Sequence, residues 1–179
     1  MRILFRFDAS PKLIDKALKL AWPNQLRVCP ESEDADYERE LAQADVLWHV
    51  LKPVSAAHIA LAPSLKLIQK IGTGVNAIDL AAAKAREIAV CNLPGANSRA
   101  VAEMALLLML ACLRRLRELD ASVRRENGWS ESWAMQDGFG EIGGKTIGLV
   151  GFGAVPQMLA PWLTALGARV LYSSRTAKA

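Results

Sequence analysis

The sequence predicts an α/β chain: an open parallel sheet followed by a second βαβ unit. Three observations predict it. Short apolar stretches of strand length alternate with segments of helical period through the first 95 residues, which is the pattern of a parallel sheet with helices between its strands. A long apolar helical segment interrupts the alternation after Ser98. Beyond it the alternation resumes, with a glycine pair, Gly151 and Gly153, at a strand-to-helix turn.

Taken in order, Ile3 to Phe7 forms the first strand candidate. Pro11 to Trp22 carries Leu13, Ala17, Leu18 and Ala21 at helical spacing. Leu26 to Val28 is a second strand. Glu31 to Glu40 is acidic, and Tyr37 to Ala44 reads as a short helix. Asp45 to Val50 (DVLWHV) reads as a buried strand, and Ser55 precedes a short helix that ends near Pro63. Leu65 to Ile71 (LKLIQKI) is the next strand, followed by Gly72-Thr73-Gly74. Asp79 is a good N-cap for a helix over Leu80 to Arg86. Ile88 to Cys91 completes about five strands, closed by Asn92-Leu93-Pro94-Gly95.

Asn97 or Ser98 then caps a helix predicted to run to about Asn127. Its middle, EMALLLMLACL, is apolar on all sides, which predicts burial on all sides. Arg114, Arg115, Arg117, Arg124 and Arg125 in its second half complement the negative end of a helix dipole. Gly128 to Gly144 reads as a polar linker. The domain boundary falls near residue 97, giving domains over 1–96 and 97–179. Lys145 to Val150 is a strand, GFGAVP occupies 151–156, Gln157 to Leu166 is a helix and Ala168 to Tyr172 is the next strand. Pro161 is expected to kink or delay that helix.

The composition narrows the class. Of 179 residues, 52% are apolar and 22% charged, which excludes a disordered chain. Cys29, Cys91 and Cys112 are scattered, so neither a disulfide framework nor a metal site is readable, and a reducing, cytoplasmic setting is expected. Arg6 and Asp8 interrupt the first apolar stretch too early for a signal peptide. The longest apolar run, Met104 to Leu113, has ten residues, half of the roughly 20 that a membrane span needs. The net charge is +4, yet from Ile142 onward there are four basic residues and no acidic one. A local excess of that kind suits a small anionic ligand. Without aromatic residues interleaved with the basic ones, it does not point to nucleic acid.

The glycine turn supplies that ligand. In a strand–GxG–helix unit the first glycine, Gly151, permits the tight turn. The second, Gly153, lets the backbone approach a pyrophosphate, which the free N–H groups of the helix start then face. The cofactor-binding candidates are therefore Gly151, Phe152, Gly153, Ala154 and Val155. Pro156 stands where a third glycine is usual, and proline fits a first helical turn, where donors are unpaired anyway. The second strand ends in Ser173-Ser174-Arg175-Thr176, where an NAD site has an acidic residue for the ribose hydroxyls. Hydroxyls and a guanidinium suit a 2′-phosphate instead. Ser173, Ser174 and Arg175 thus point to NADP as the preferred cofactor, with NAD possible.

Three stretches together resemble the D-isomer-specific 2-hydroxyacid dehydrogenases: Leu65 to Leu116, GGKTIGLVGFGAVP, and ARVLYSSRT. The AVAEMALLLML helix start after NLPGANS is the most specific of them. The resemblance implies a flavodoxin-like substrate domain followed by a Rossmann dinucleotide domain, incomplete in these residues, and a homodimer with the apolar helix in its interface. It places the loop at Lys70 to Gly74 in a cleft, with Lys70, Gly72 and Gly74 meeting the substrate carboxylate and Thr73 touching the cofactor. Asn76 stands where many members have Asp.

The family's chemistry uses an arginine for the substrate carboxylate and a histidine paired with a glutamate for proton transfer, all in the later part of the dinucleotide domain. None can be assigned here, and they are expected beyond the C-terminus. His49 and His58 lie in the first domain and read as structural or surface residues. The leading reading is an NADP-dependent oxidoreductase that reduces 2-keto acids of the glyoxylate or hydroxypyruvate kind, or runs the reverse, with these residues alone inactive. Its partners would be a small 2-keto or 2-hydroxy acid and a second copy, with no membrane, nucleic acid or metal. The alternative is a non-catalytic dinucleotide-binding or dimerisation module. A flavodoxin-like binding domain would explain the first 95 residues only.

Overall fold

A computed structural model describes residues 1–125 and 137–177. The chain divides into two compact units, Met1–Ala96 and Asn97–Ala179.

The first unit alternates strands and helices throughout: β1 (Arg2–Arg6), α1 (Pro11–Ala21), β2 (Gln25–Cys29), α2 (Asp34–Leu41), β3 (Val46–His49), α3 (Ala56–Ala60), β4 (Leu67–Lys70), α4 (Leu80–Ala85) and β5 (Ala89–Cys91). All strand pairs are parallel, in the order β2-β1-β3-β4-β5. This is the flavodoxin-like arrangement, whose topological switch point lies between β1 and β3. The central strands are buried because their side chains are apolar on both faces. Leu4, Leu47 and Ile68 join Tyr37, Leu41 and Ile59 in one core, while Ile3, Val46 and Ala21 pack on the opposite face.

Helix starts follow local chemistry. Ser10 caps α1, with Pro11 in its first turn. The Asp79 carboxylate accepts from the Ala82 N–H at 2.9 Å. Helix α2 begins at Asp34, earlier than the predicted Tyr37, because Asp34 and Asp36 occupy a first turn whose dipole favours negative charge.

In the second unit the single long helix expected from the sequence is two helices, α5 (Ser98–Leu113) and α6 (Leu116–Val123). Arg115 separates them in a left-handed conformation, φ 49°. That conformation is unfavourable for a residue with a Cβ and is held by a non-local contact. The Leu113 carbonyl accepts the Gly140 N–H at 2.8 Å, and the Arg114 guanidinium lies over the Phe139 ring. Two arginines of this segment make ion pairs, Arg115 with Glu118 and Arg124 with Asp120.

Within the single chain α5 is buried along one stripe only. One stripe, Ala102, Ala105, Leu106, Met109 and Leu113, packs into the unit's core with Leu149, Leu159 and Leu163. Val101, Met104, Leu107 and Leu108 stay exposed, Leu108 by 56%.

Strands β6 (Thr146–Val150) and β7 (Arg169–Ser173) pair in parallel around α7 (Ala154–Ala165). Helix α7 starts at Ala154, not Gln157. Pro156 therefore falls in the first turn, where its missing N–H costs no intrahelical bond. Pro161 lies inside α7, which continues unbroken to Ala165. The predicted linker over 128–144 lies partly outside the described residues. Among the described residues no helix is long and apolar enough to cross a membrane.

Candidate functional site

The glycine turn of the second unit is built from β6, α7 and the end of β7. Gly151 follows β6 with φ 87°, a left-handed backbone that disfavours any other residue. Its N–H donates to the Ser173 carbonyl at 2.9 Å, which ties the turn to the end of β7. Gly153 is the N-cap of α7 with φ −88°, a conformation open to residues with side chains. A Cβ built on Gly153 meets no atom within 4 Å. Neither backbone strain nor protein crowding demands glycine there. What the missing side chain leaves is open space directly before a three-turn helix, where the amides of Ala154 and Val155 begin the helix without intrahelical acceptors.

That space belongs to a cavity of about 620 Å³ lined by Gly151, Phe152, Gly153, Ser174, Arg175 and Thr176. Of the predicted cofactor-binding residues, Gly151, Phe152, Gly153, Ser174 and Arg175 are thus brought together. Ala154 and Val155 form the adjoining helical turn, and Ser173 ends β7 behind the cavity. Among the described residues Arg175 is the one charged residue in the lining. Thr176 is an addition, and its signal was its place directly after Arg175. The Phe152 ring stacks on Tyr172 at 4.1 Å, and the Phe152 carbonyl accepts from the Gln157 side-chain amide at 3.0 Å. The loop is thereby fixed before any ligand arrives. Helix-start donors without acceptors and one guanidinium, with no carboxylate among the described lining residues, can hold a polyanion such as a phosphorylated nucleotide.

The remaining candidates lie in the first unit. Lys70 ends β4 and is only 9% exposed. Its ammonium donates to the Val50 carbonyl, and it makes no ion pair among the described residues. It is a nearly buried cation next to the loop Gly72-Thr73-Gly74. A Cβ on Gly72 would stand 3.2 Å from Lys70 Cε, so glycine there makes room for the lysine stem. The loop is pinned to the segment after β5. The Leu93 N–H donates to the Gly72 carbonyl at 2.9 Å, Thr73 Oγ1 to the Leu93 carbonyl at 3.3 Å, and the Asn92 side-chain amide to the Thr73 carbonyl at 2.7 Å.

Neither histidine is placed for proton transfer to a ligand. His49 is 1% exposed, with Nε2 2.6 Å from the Lys52 carbonyl oxygen. His58 completes a capping box with Ser55 at the start of α3.

Comparison with known proteins agrees with this architecture. The family model described as D-isomer specific 2-hydroxyacid dehydrogenase, catalytic domain, matches residues 7–178. The chain is 40% identical over 119 residues to D-3-phosphoglycerate dehydrogenase of Mycobacterium leprae, covering 66% of this chain and 22% of that protein. It is 41% identical over 123 residues to glyoxylate reductase of Thermococcus litoralis, covering 65% of this chain and 36% of that protein. Among solved structures, NAD-dependent formate dehydrogenase of Staphylococcus aureus in complex with NAD superposes with a TM-score of 0.85 at 24% identity, covering 98% of this chain and 56% of that one. The chain therefore spans between about a fifth and just over half of these relatives' lengths.

Proposed function

The chain belongs to the D-isomer-specific 2-hydroxyacid dehydrogenase family, and from that premise we propose that it carries the substrate unit and the first βαβ of an NADP-dependent oxidoreductase. The reaction is hydride transfer between the nicotinamide and a small 2-keto or 2-hydroxy acid of the glyoxylate or hydroxypyruvate kind. The single observation that carries this reading is the open cradle at Gly153, a glycine that the fold itself does not require.

The pyrophosphate lies against Gly151, Phe152, Gly153 and the amides of Ala154 and Val155. Ser173, Ser174 and Arg175 receive the 2′-phosphate. Lys70 supplies positive charge to the substrate carboxylate, with the backbone of Gly72 and Gly74 beside it. When bound, the nicotinamide supplies the hydride. These residues bind and orient, and none of them moves the proton.

The test separates ligand space from fold. Gly153→Val adds a side chain where the backbone tolerates one and no protein atom stands within 4 Å. It is expected to weaken NADP binding at least tenfold, about 1.4 kcal/mol, while the melting temperature stays close to that of the parent. Undiminished binding by Gly153→Val contradicts the placement of the pyrophosphate.

The exposed stripe of α5 supports a homodimer. Val101, Met104, Leu107 and Leu108 form a contiguous apolar patch, of the kind that marks an interface. Leu108→Asp is expected to give monomers or aggregates in light scattering. A parent chain that runs as a soluble monomer contradicts the interface.

A further inference from the structure

Helices α5 and α6 are separated by Arg114 and Arg115 alone, and Arg115 stands at φ 49°. Left-handed backbone is unfavourable for a residue with a Cβ, and such strain persists only where the surroundings impose it. The stretch from Leu110 to Val123 holds no glycine or proline, and its leucines, alanines, arginines and glutamate are good helix formers. Nothing local asks for a break. It is imposed by a clasp from Phe139 and Gly140. The Gly140 N–H donates to the Leu113 carbonyl at 2.8 Å, and the Arg114 guanidinium carbon lies 5.3 Å from the centre of the Phe139 ring. Gly140 fits closely, since a Cβ there would stand 3.0 Å from Leu113 Cδ2.

The clasp and a continuous helix compete for the same groups. In a continuous helix the Leu113 carbonyl accepts the Arg117 N–H, four residues on. In the clasped form it accepts the Gly140 N–H instead, so either form satisfies that carbonyl. Straightening gives up the contact between Arg114 and Phe139, but it brings Arg114 within reach of Glu118 at i,i+4. It also removes the left-handed penalty at Arg115. These are opposing terms of similar size. The two helices are unequally anchored. Leu113 packs against the core of the second unit, whereas α6 buries none of its residues. Opening the clasp therefore moves α6 and leaves α5 in place.

We propose that the joint between α5 and α6 has two states, a bent one held by the Phe139–Gly140 clasp and a straight one in which residues 98–123 form a single helix. The exchange decides what surface the helix offers. Val101, Met104, Leu108, Cys112, Leu116 and Val123 recur at spacings of three, four or seven residues, which a continuous helix places on one face. All six are exposed. The bend divides this apolar stripe at Arg115. Straightening joins it into one face about 33 Å long, at 1.5 Å per residue.

The test is heteronuclear NMR with amide exchange on the isotopically labelled 179-residue chain, as the parent, Arg115→Gly and Gly140→Pro. In the parent, Arg115 should show the carbon shifts of a left-handed residue, and the Gly140 N–H should exchange through a local opening rather than global unfolding. Arg115→Gly relieves the penalty of the bent state and should slow Gly140 exchange about tenfold. Gly140→Pro removes the donor of the clasp. Arg115 should then take helical shifts and the Arg117 amide should become protected. Leu116 to Val123 should stay helical, and the signals of β6 and β7 should stay in place. A left-handed Arg115 in Gly140→Pro overturns the proposal, because the break is then local. Loss of helical shifts across α6 overturns it as well, because no straight state then exists. Unchanged Gly140 exchange in Arg115→Gly contradicts it independently, whether or not Gly140→Pro folds.

Discussion

The purified 179-residue polypeptide is expected to show no dehydrogenase turnover. Reduction of a 2-keto acid needs a proton at the carbonyl oxygen as the hydride arrives, and imidazole is the side chain suited to supply it near neutral pH. The sequence holds two histidines. His49 is buried with Nε2 bound to a backbone carbonyl, and His58 is engaged in the cap of α3. Loss of a general acid–base group costs typically 10²- to 10⁴-fold, before any loss from an absent carboxylate-binding arginine. The measurement is NADH and NADPH oxidation with glyoxylate, hydroxypyruvate and pyruvate, using protein free of host enzymes. Robust oxidation would show that the proton comes from a group not identified above. The same assay separates the two readings of the chain. A version extended by the family's arginine, glutamate and histidine regains turnover if it is an enzyme by descent, whereas a binding or dimerisation module stays inactive when extended.

Much of the fold was legible because its signals are local. Leu4, Leu47 and Ile68 lie in short apolar runs, as strands buried on both faces must. Asp79 and Ser55 cap the helices that follow them through bonds three residues long. Gly151 announces its left-handed turn by being glycine between a strand and a helix.

What was not legible depends on partners distant in sequence. The break at Arg115 rests on Gly140 reaching back to the Leu113 carbonyl, and nothing within EMALLLMLACLRRL signals it. The two faces of α5 carry the same residue types, and only the packing of α7 and β6 decides which is buried. Arg6 reads as an ordinary charged residue in a strand. It is buried because Asp34 and Tyr37, from a helix nearly thirty residues on, supply a counter-charge and an aromatic face. Within the candidate site, the glycine turn was legible as a motif, whereas the burial of Lys70 against Val50 was not, because it follows from the register of β3 and β4.

A preference for NADP over NAD is the second large effect expected. The cavity at the glycine turn is lined by Ser174, Arg175 and Thr176, with no carboxylate among the described residues, and no acidic residue follows Glu141 in the sequence. Among the described residues, no acidic side chain stands there as the partner of an NAD ribose or to repel a 2′-phosphate. A hydrogen bond to a charged group contributes roughly 1.5–3 kcal/mol when well placed. At 1.4 kcal/mol per decade this is a preference on the order of tenfold to hundredfold. Isothermal titration of the parent chain and of Arg175→Ala with NADP and with NAD tests the assignment of this cavity most directly. The parent should bind NADP tenfold to hundredfold more tightly than NAD, and Arg175→Ala should bind the two equally. Equal binding by the parent, or an unchanged preference in Arg175→Ala, would contradict it.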